Sequence, residues 1–114
     1  MKNGYPVAYT PQKTTDYEKL VAQAAVLAGC KPLEGPVKVL IECWFQFPKS
    51  KDALKKIAAN KGQCTKRPDA DNLAKGILDS LNSVAYLDDA QVYSLTVTKG
   101  YDDTPCVDVT LEYD

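Results

Sequence analysis

Apolar residues recur along this chain at two spacings, and each spacing predicts a different element. Tyr17, Leu20, Val21, Ala24 and Ala28 repeat at the helical period, and Gly29 supplies a stop. Ahead of them, Thr15-Asp16-Tyr17-Glu18 has the form of a capping box, which satisfies the orphan amides of a helix start. Residues 4–11 hold Pro6 and Pro11 and predict an extended or turn-rich lead-in. From Val37 to Phe47 the chain is rich in β-branched and aromatic residues, which predicts a strand closed by Pro48. Ser50 is placed to cap a short helix over residues 51–60, with Leu54 and Ile57 inward, ended by Lys61-Gly62-Gln63.

A further helix begins near Asp69 to Asp71 and runs to about Asn82. Leu73, Ile77, Leu81 and Val84 fall on one of its faces, while Asp71, Lys75 and Asp79 share another. Val92 to Tyr101 predicts a strand, and Asp102-Asp103-Thr104-Pro105 a turn. Cys106 to Tyr113 is expected to return as the hairpin partner of that strand. There Val107, Val109 and Leu111 alternate with Asp108, Thr110 and Glu112, as when one face meets the core and the other meets water. The sum is an α/β (α+β) chain, a single compact domain over residues 1–114 with a mixed sheet and packed helices.

A length of 114 residues with 45% hydrophobic and 25% charged positions excludes wholesale disorder and leaves room for one modest core. Apolar runs stay far short of the roughly 20 residues that cross a bilayer, and no secretory signal pattern is present, so a cytoplasmic protein without a membrane partner is expected. The absence of histidine and the wide spacing of Cys30, Cys43, Cys64 and Cys106 exclude zinc fingers, zincins and histidine-activated nucleophiles. Chemistry must then come from carboxylates, lysines, hydroxyls or thiols.

The net charge of −1 hides a strong asymmetry. Residues 49–67 carry Lys49, Lys51, Lys55, Lys56, Lys61, Lys66 and Arg67 against Asp52 alone, whereas residues 69–114 have a balance of −8. A concentrated basic segment beside an acidic one suggests a phosphate-attracting flank next to a cation site. The same lysines also read as the wet side of a short helix.

The informative strings are Arg67-Pro68-Asp69-Ala70-Asp71-Asn72-Leu73-Ala74-Lys75 and Leu87-Asp88-Asp89-Ala90-Gln91-Val92. Carboxylates are hard oxygen ligands, and magnesium takes one or two of them together with waters and phosphate oxygens. Two such ions roughly 4 Å apart can hold the attacking and leaving oxygens of a phosphodiester displacement without any histidine. A helix from Asp71 to Asn82 is about 18 Å long, and the residues from Ser83 to Asp88 reach at most about 20 Å, so the strings can meet if the chain doubles back. Against this, Asp69 and Asp71 also suit a helix cap and first turn, and Lys75 suits a surface ion pair with Asp71. Asp88-Asp89 also reads as the turn before a strand, and Phe45, Phe47 and Trp44 as core or interface.

Together with Leu78-Asp79-Ser80-Leu81-Asn82, with Tyr86 preceding the second acidic string, and with the lead-in Ala8-Tyr9-Thr10-Pro11-Gln12-Lys13-Thr14 and its helix, these strings resemble the RusA-type Holliday-junction resolvases over most of the chain. The resemblance implies a homodimeric endodeoxyribonuclease that makes paired cuts in four-way DNA junctions during recombination and repair, with magnesium or manganese as cofactor. It puts the catalytic, metal-binding acids on Asp69, Asp71 and Asp89, with Asp88 as a neighbouring candidate and Lys75 as the basic partner. The residues from Lys49 to Arg67 would flank the DNA. Many members carry an extra apolar strand and a Pro/Lys/Arg-rich stretch before the region matching Asn3–Thr10, where this chain starts, which leaves the sheet edge and dimer contact open. The rival reading is a non-catalytic nucleic-acid-binding or protein-interaction module whose acids are only caps and turns.

Overall fold

The computed structural model describes residues 3–9, 17–66 and 69–113. In chain order the elements are β1 (Asn3–Tyr9), α1 (Tyr17–Leu27), β2 (Val37–Gln46), α2 (Lys51–Ala59), α3 (Ala70–Ser80), a 3₁₀ turn at Asp89–Gln91, β3 (Val92–Asp102) and β4 (Cys106–Tyr113). No helix among the described residues is long and apolar enough to cross a membrane.

The strands form one mixed sheet in the order β1-β4-β2-β3. Alternation in β2 sends Val37, Val39, Ile41 and Cys43 to one side, where all four are buried. Val107, Val109 and Leu111 of β4 lie beside Cys43, Ile41 and Val39 on the same side. Val21 and Ala25 of α1 and Leu73 and Ile77 of α3, with Leu81 just beyond it, close that core from above. Each large aliphatic side chain so removed from water contributes about 1.5–3 kcal/mol. The expected apolar face of α3 is therefore the observed one, with Val84 half-buried at its edge. Ala28, expected on the inner face of α1, is exposed. Gly29 ends that helix in the left-handed region (φ +85°), and Cys30 N–H donates to Ala25 C=O at 3.0 Å. The capping residues Thr15 and Asp16 lie outside the described residues.

Two sequence expectations are corrected. β3 and β4 are not hairpin partners. β3 pairs with β2 in parallel, and β4 pairs with β2 antiparallel on its other side. Strands lie about 4.8 Å apart, so three linking residues can cross the end of β2, and the Asx-type turn (Thr104 N–H to Asp102 Oδ1, 3.3 Å) serves equally well there. Burial makes the choice, because β2 is the most apolar strand and gains a neighbour on both edges. The second correction concerns α2. Ser50 caps it as expected, accepting from Ala53 N–H at 3.4 Å, but no residue of α2 is buried and Leu54 is 40% exposed. The helix stands beyond the ends of β2 and β3 instead of over the core. The lead-in at residues 4–11 is in part a strand, since β1 runs along β4 with Pro6 opposite Thr110 at a sheet edge, where proline is tolerated.

Trp44, on the face away from the helices, crosses Gly100 of β3. A Cβ there would lie 2.5 Å from the indole Cζ3, so the strand keeps glycine at this crossing.

Candidate functional site

Asp69 is the N-cap residue of α3, with extended backbone (φ −65°, ψ 152°), and its C=O accepts the first helical hydrogen bond, from Leu73 N–H at 3.0 Å. Its carboxylate makes no capping bond, so it is not consumed in closing the helix. Asp71 follows in the first turn, with Lys75 one turn on and Asp79 one turn beyond that, all three exposed. Burial of Leu73 and Ile77 forces this outward row, since residues four apart share a face.

The segment leading into Asp69 is anchored to the far end of the sheet. Lys99 Nζ of β3 donates to Lys66 C=O at 2.6 Å, and Lys66 Nζ lies 5.7 Å from the centre of the Phe45 ring. Tyr101 stacks on Phe47 (centroids 5.5 Å apart), and its hydroxyl, donating toward the sulfur of Cys64 and in part removed from water, has its pKa raised. Lys49, Lys51, Lys55, Lys56 and Lys61 are exposed on and around α2 at the same end. Arg67, the last of the expected basic flank, lies outside the described residues.

Asp88 and Asp89 sit near the other end of α3. Asp88 caps the 3₁₀ turn, its Oδ1 accepting from Ala90 N–H at 3.4 Å. Gln91 completes the capping box and does more. Its Oε1 accepts from Leu87 N–H (2.8 Å) and Asp88 N–H (2.9 Å), and its Nε2 donates to Leu33 C=O (2.7 Å) and Gly35 C=O (2.9 Å). Tyr86, fully buried, donates its hydroxyl to Leu78 C=O at 2.6 Å, and burial pushes its pKa up. Together they lay the acidic turn against the last turn of α3.

There Asp89 meets Asp79 as well as Asp88. A hydrogen bond with Asp88 raises the Asp89 pKa first, followed by partial burial and the negative charges of Asp88 and Asp79. Asp79 is the neighbour that sequence reasoning missed as a site residue. Its only signal was the shared helix face with Asp71 and Lys75. Asp71 and Asp79 are about 12 Å apart along the axis at about 1.5 Å per residue, with Lys75 midway. Asp69 and Asp71 thus lie in the N-terminal turn at one end of this row, and Asp79, Asp88 and Asp89 meet at the other. Among the described residues, no three acidic or cysteine side chains are grouped to hold one metal ion.

The donor set suits a hard divalent cation in kind. It is all carboxylate oxygen and solvent-accessible, and the crowded charge that raises the Asp89 pKa is what a cation would relieve. The thiols offer no alternative centre. All four cysteines are free, and burial pushes Cys43 up to about 11, away from the reactive thiolate.

The family model described as endodeoxyribonuclease RusA matches residues 1–112. The chain belongs to the RusA family. A relative, the uncharacterized protein YqaN of Bacillus subtilis (strain 168), is 35% identical over 118 residues, which cover 97% of this chain and 82% of YqaN. RusA membership makes the chain an endonuclease-type hydrolase acting on DNA, and the matched span takes in α3 and the acidic turn after it.

Proposed function

We propose that this RusA-family chain resolves four-way DNA junctions by divalent-metal-dependent phosphodiester hydrolysis, acting as a homodimer whose twofold symmetry matches paired cuts on two strands. The observation that carries this reading is the Asp69–Asp71 pair. Two outward carboxylates, one of them free of the capping role its position invites, are what magnesium takes before waters and phosphate oxygens complete its shell. Magnesium or manganese held there would polarise the phosphodiester and acidify a water. Lys75, one turn along, binds the scissile phosphate and offsets charge developing on it. Asp89 enters the site on the resemblance of its motif, Asp88-Asp89-Ala90-Gln91, to that of the family, not on closeness to the pair. The lysines from Lys49 to Lys66 hold the flanking DNA by its phosphates, and selectivity for the branch rests on shape and backbone contacts.

The experiment is cleavage of a labelled four-way junction with and without magnesium. Asp71→Asn is expected to abolish cutting, at least a hundredfold loss in rate, while the junction Kd measured in EDTA changes less than about threefold. Undiminished cutting by that variant would remove the mechanism. If the unaltered protein binds junctions but never cuts them in either metal, the rival reading of a non-catalytic binding module takes its place.

A further inference from the structure

The carboxyl ends of the parallel pair β2 and β3 meet α2 around a cleft of about 300 Å³, at the lower end of the volumes, about 300–1,000 Å³, that hold small-molecule groups. Its walls fall into chemically distinct parts. Ile57 of α2 and the ring of Tyr101 supply apolar surface. Gln46, Asn60 and Gln63 supply amides, each with donors and an acceptor. Lys56 and Lys66 are the two cationic residues among those that line it, and both are exposed. The ring of Tyr101 is held by its stack on Phe47, so the apolar wall is preformed.

This combination fits one nucleotide. A base presents two apolar faces, an edge of mixed donors and acceptors, and an attached phosphate, and the cleft matches each with a ring, amides and ammoniums. A base paired within a duplex cannot enter a concavity, whereas at the branch of a four-way junction continuous stacking is interrupted, which lowers the cost of extruding a base. Lys66 lies three residues from Asp69, within about 10 Å by chain length, so an occupant sits within a nucleotide or two of a phosphate at the Asp69–Asp71 pair.

We propose that this cleft receives one unstacked nucleotide of the DNA strand beside the cut, and that Gln46, Asn60 and Gln63 thereby set a base preference at that position. The inference rests on the nuclease reading for its choice of DNA, but it concerns residues outside the acidic row. Free nucleotides share the same chemistry and are the alternative occupant.

The test is an abasic scan. Four-way junctions are made with single abasic sites, each keeping its phosphate, at every position within three nucleotides of the branch. Binding is measured in EDTA, so that the result does not depend on cleavage. One position is expected to weaken binding about tenfold, in the range for loss of one stacked base. Gln63→Ala and Gln46→Ala, both at exposed positions, are expected to bind the intact junction about tenfold more weakly and to lose nothing further at that abasic site. Tyr101→Leu should behave alike; since Tyr101 also stacks on Phe47, the two glutamine variants carry the test if it fails to fold. Equal binding of every abasic junction, or variant and abasic losses that multiply, overturns the proposal. So does displacement of bound junction by micromolar deoxynucleoside monophosphates, which would assign the cleft to free nucleotides. Absence of cleavage with the abasic dependence intact would instead strike the nuclease reading and leave the cleft standing.

Discussion

Asp89 shares its surroundings with Asp88 and Asp79, and a hydrogen bond between carboxyl groups requires a proton on one of them. In the metal-free protein, Asp89 is therefore expected to titrate above the usual value of about 3.9. Asp79→Asn should lower its pKa by removing a negative charge, and Asp88→Asn should lower it further by also removing the principal hydrogen-bond partner. Carboxyl-carbon NMR titration reads this directly, and an Asp89 pKa at or below the usual value would contradict the geometry. The linkage has a definite sign. A carboxyl whose folded pKa is raised binds more protons in the folded state, so its contribution to stability falls as pH rises from the usual value through the raised one. The acids at 69, 71, 88 and 89 were legible in the sequence as a motif. The meeting of Asp79 with Asp89 was not, because it depends on how Tyr86 and Gln91 fold the intervening turn.

Among the elements, the acidic turn depends most on one side chain. Gln91 makes four hydrogen bonds that join residues 87–88 to Leu33 and Gly35. Gln91→Ala leaves two amides and two carbonyls to find water, and is expected to cost about 1–3 kcal/mol in urea unfolding. Gln91→Glu keeps the acceptor but not the donors and should fall between. If Asp89 acts in the site, Gln91→Ala also lowers the cleavage rate at saturating magnesium while junction affinity in EDTA holds, the mark of a positioning residue. The helices were legible from period and caps, as the buried Leu73-Ile77-Leu81 face confirms. The pairing of β3 and β4 was not. A short polar link reads as a hairpin turn whether its strands are neighbours or have a third strand between them, and the demand of β2 for burial on both sides is not a local property.

Across the whole molecule, charge is laid out in two regions. The lysines of residues 49–66 gather around α2 beyond the carboxyl ends of β2 and β3, and the carboxylates line α3 and the turn after it. If the lysines meet phosphates, each contact adds about 0.9 to the slope of log K against log salt concentration. Replacing Lys51, Lys55 and Lys56 with alanine is then expected to reduce that slope for junction binding by about 2–3. An unchanged slope would make them only the solvated face of a helix. None of the three is buried, so the thermal midpoint should move little.

Reading the residues in order was enough to settle the mixed α/β class, the buried face of α3, the cap of α2, the two charged regions and the resemblance to the family, since these rest on period, caps and composition, which act between near neighbours. Strand order, the stance of α2 off the core, the partnership of Asp79 with Asp89 and the cleft beside Tyr101 came from the folded chain. Each joins segments tens of residues apart, and which of them meet is settled by the shared burial of one core, with β2 at its centre.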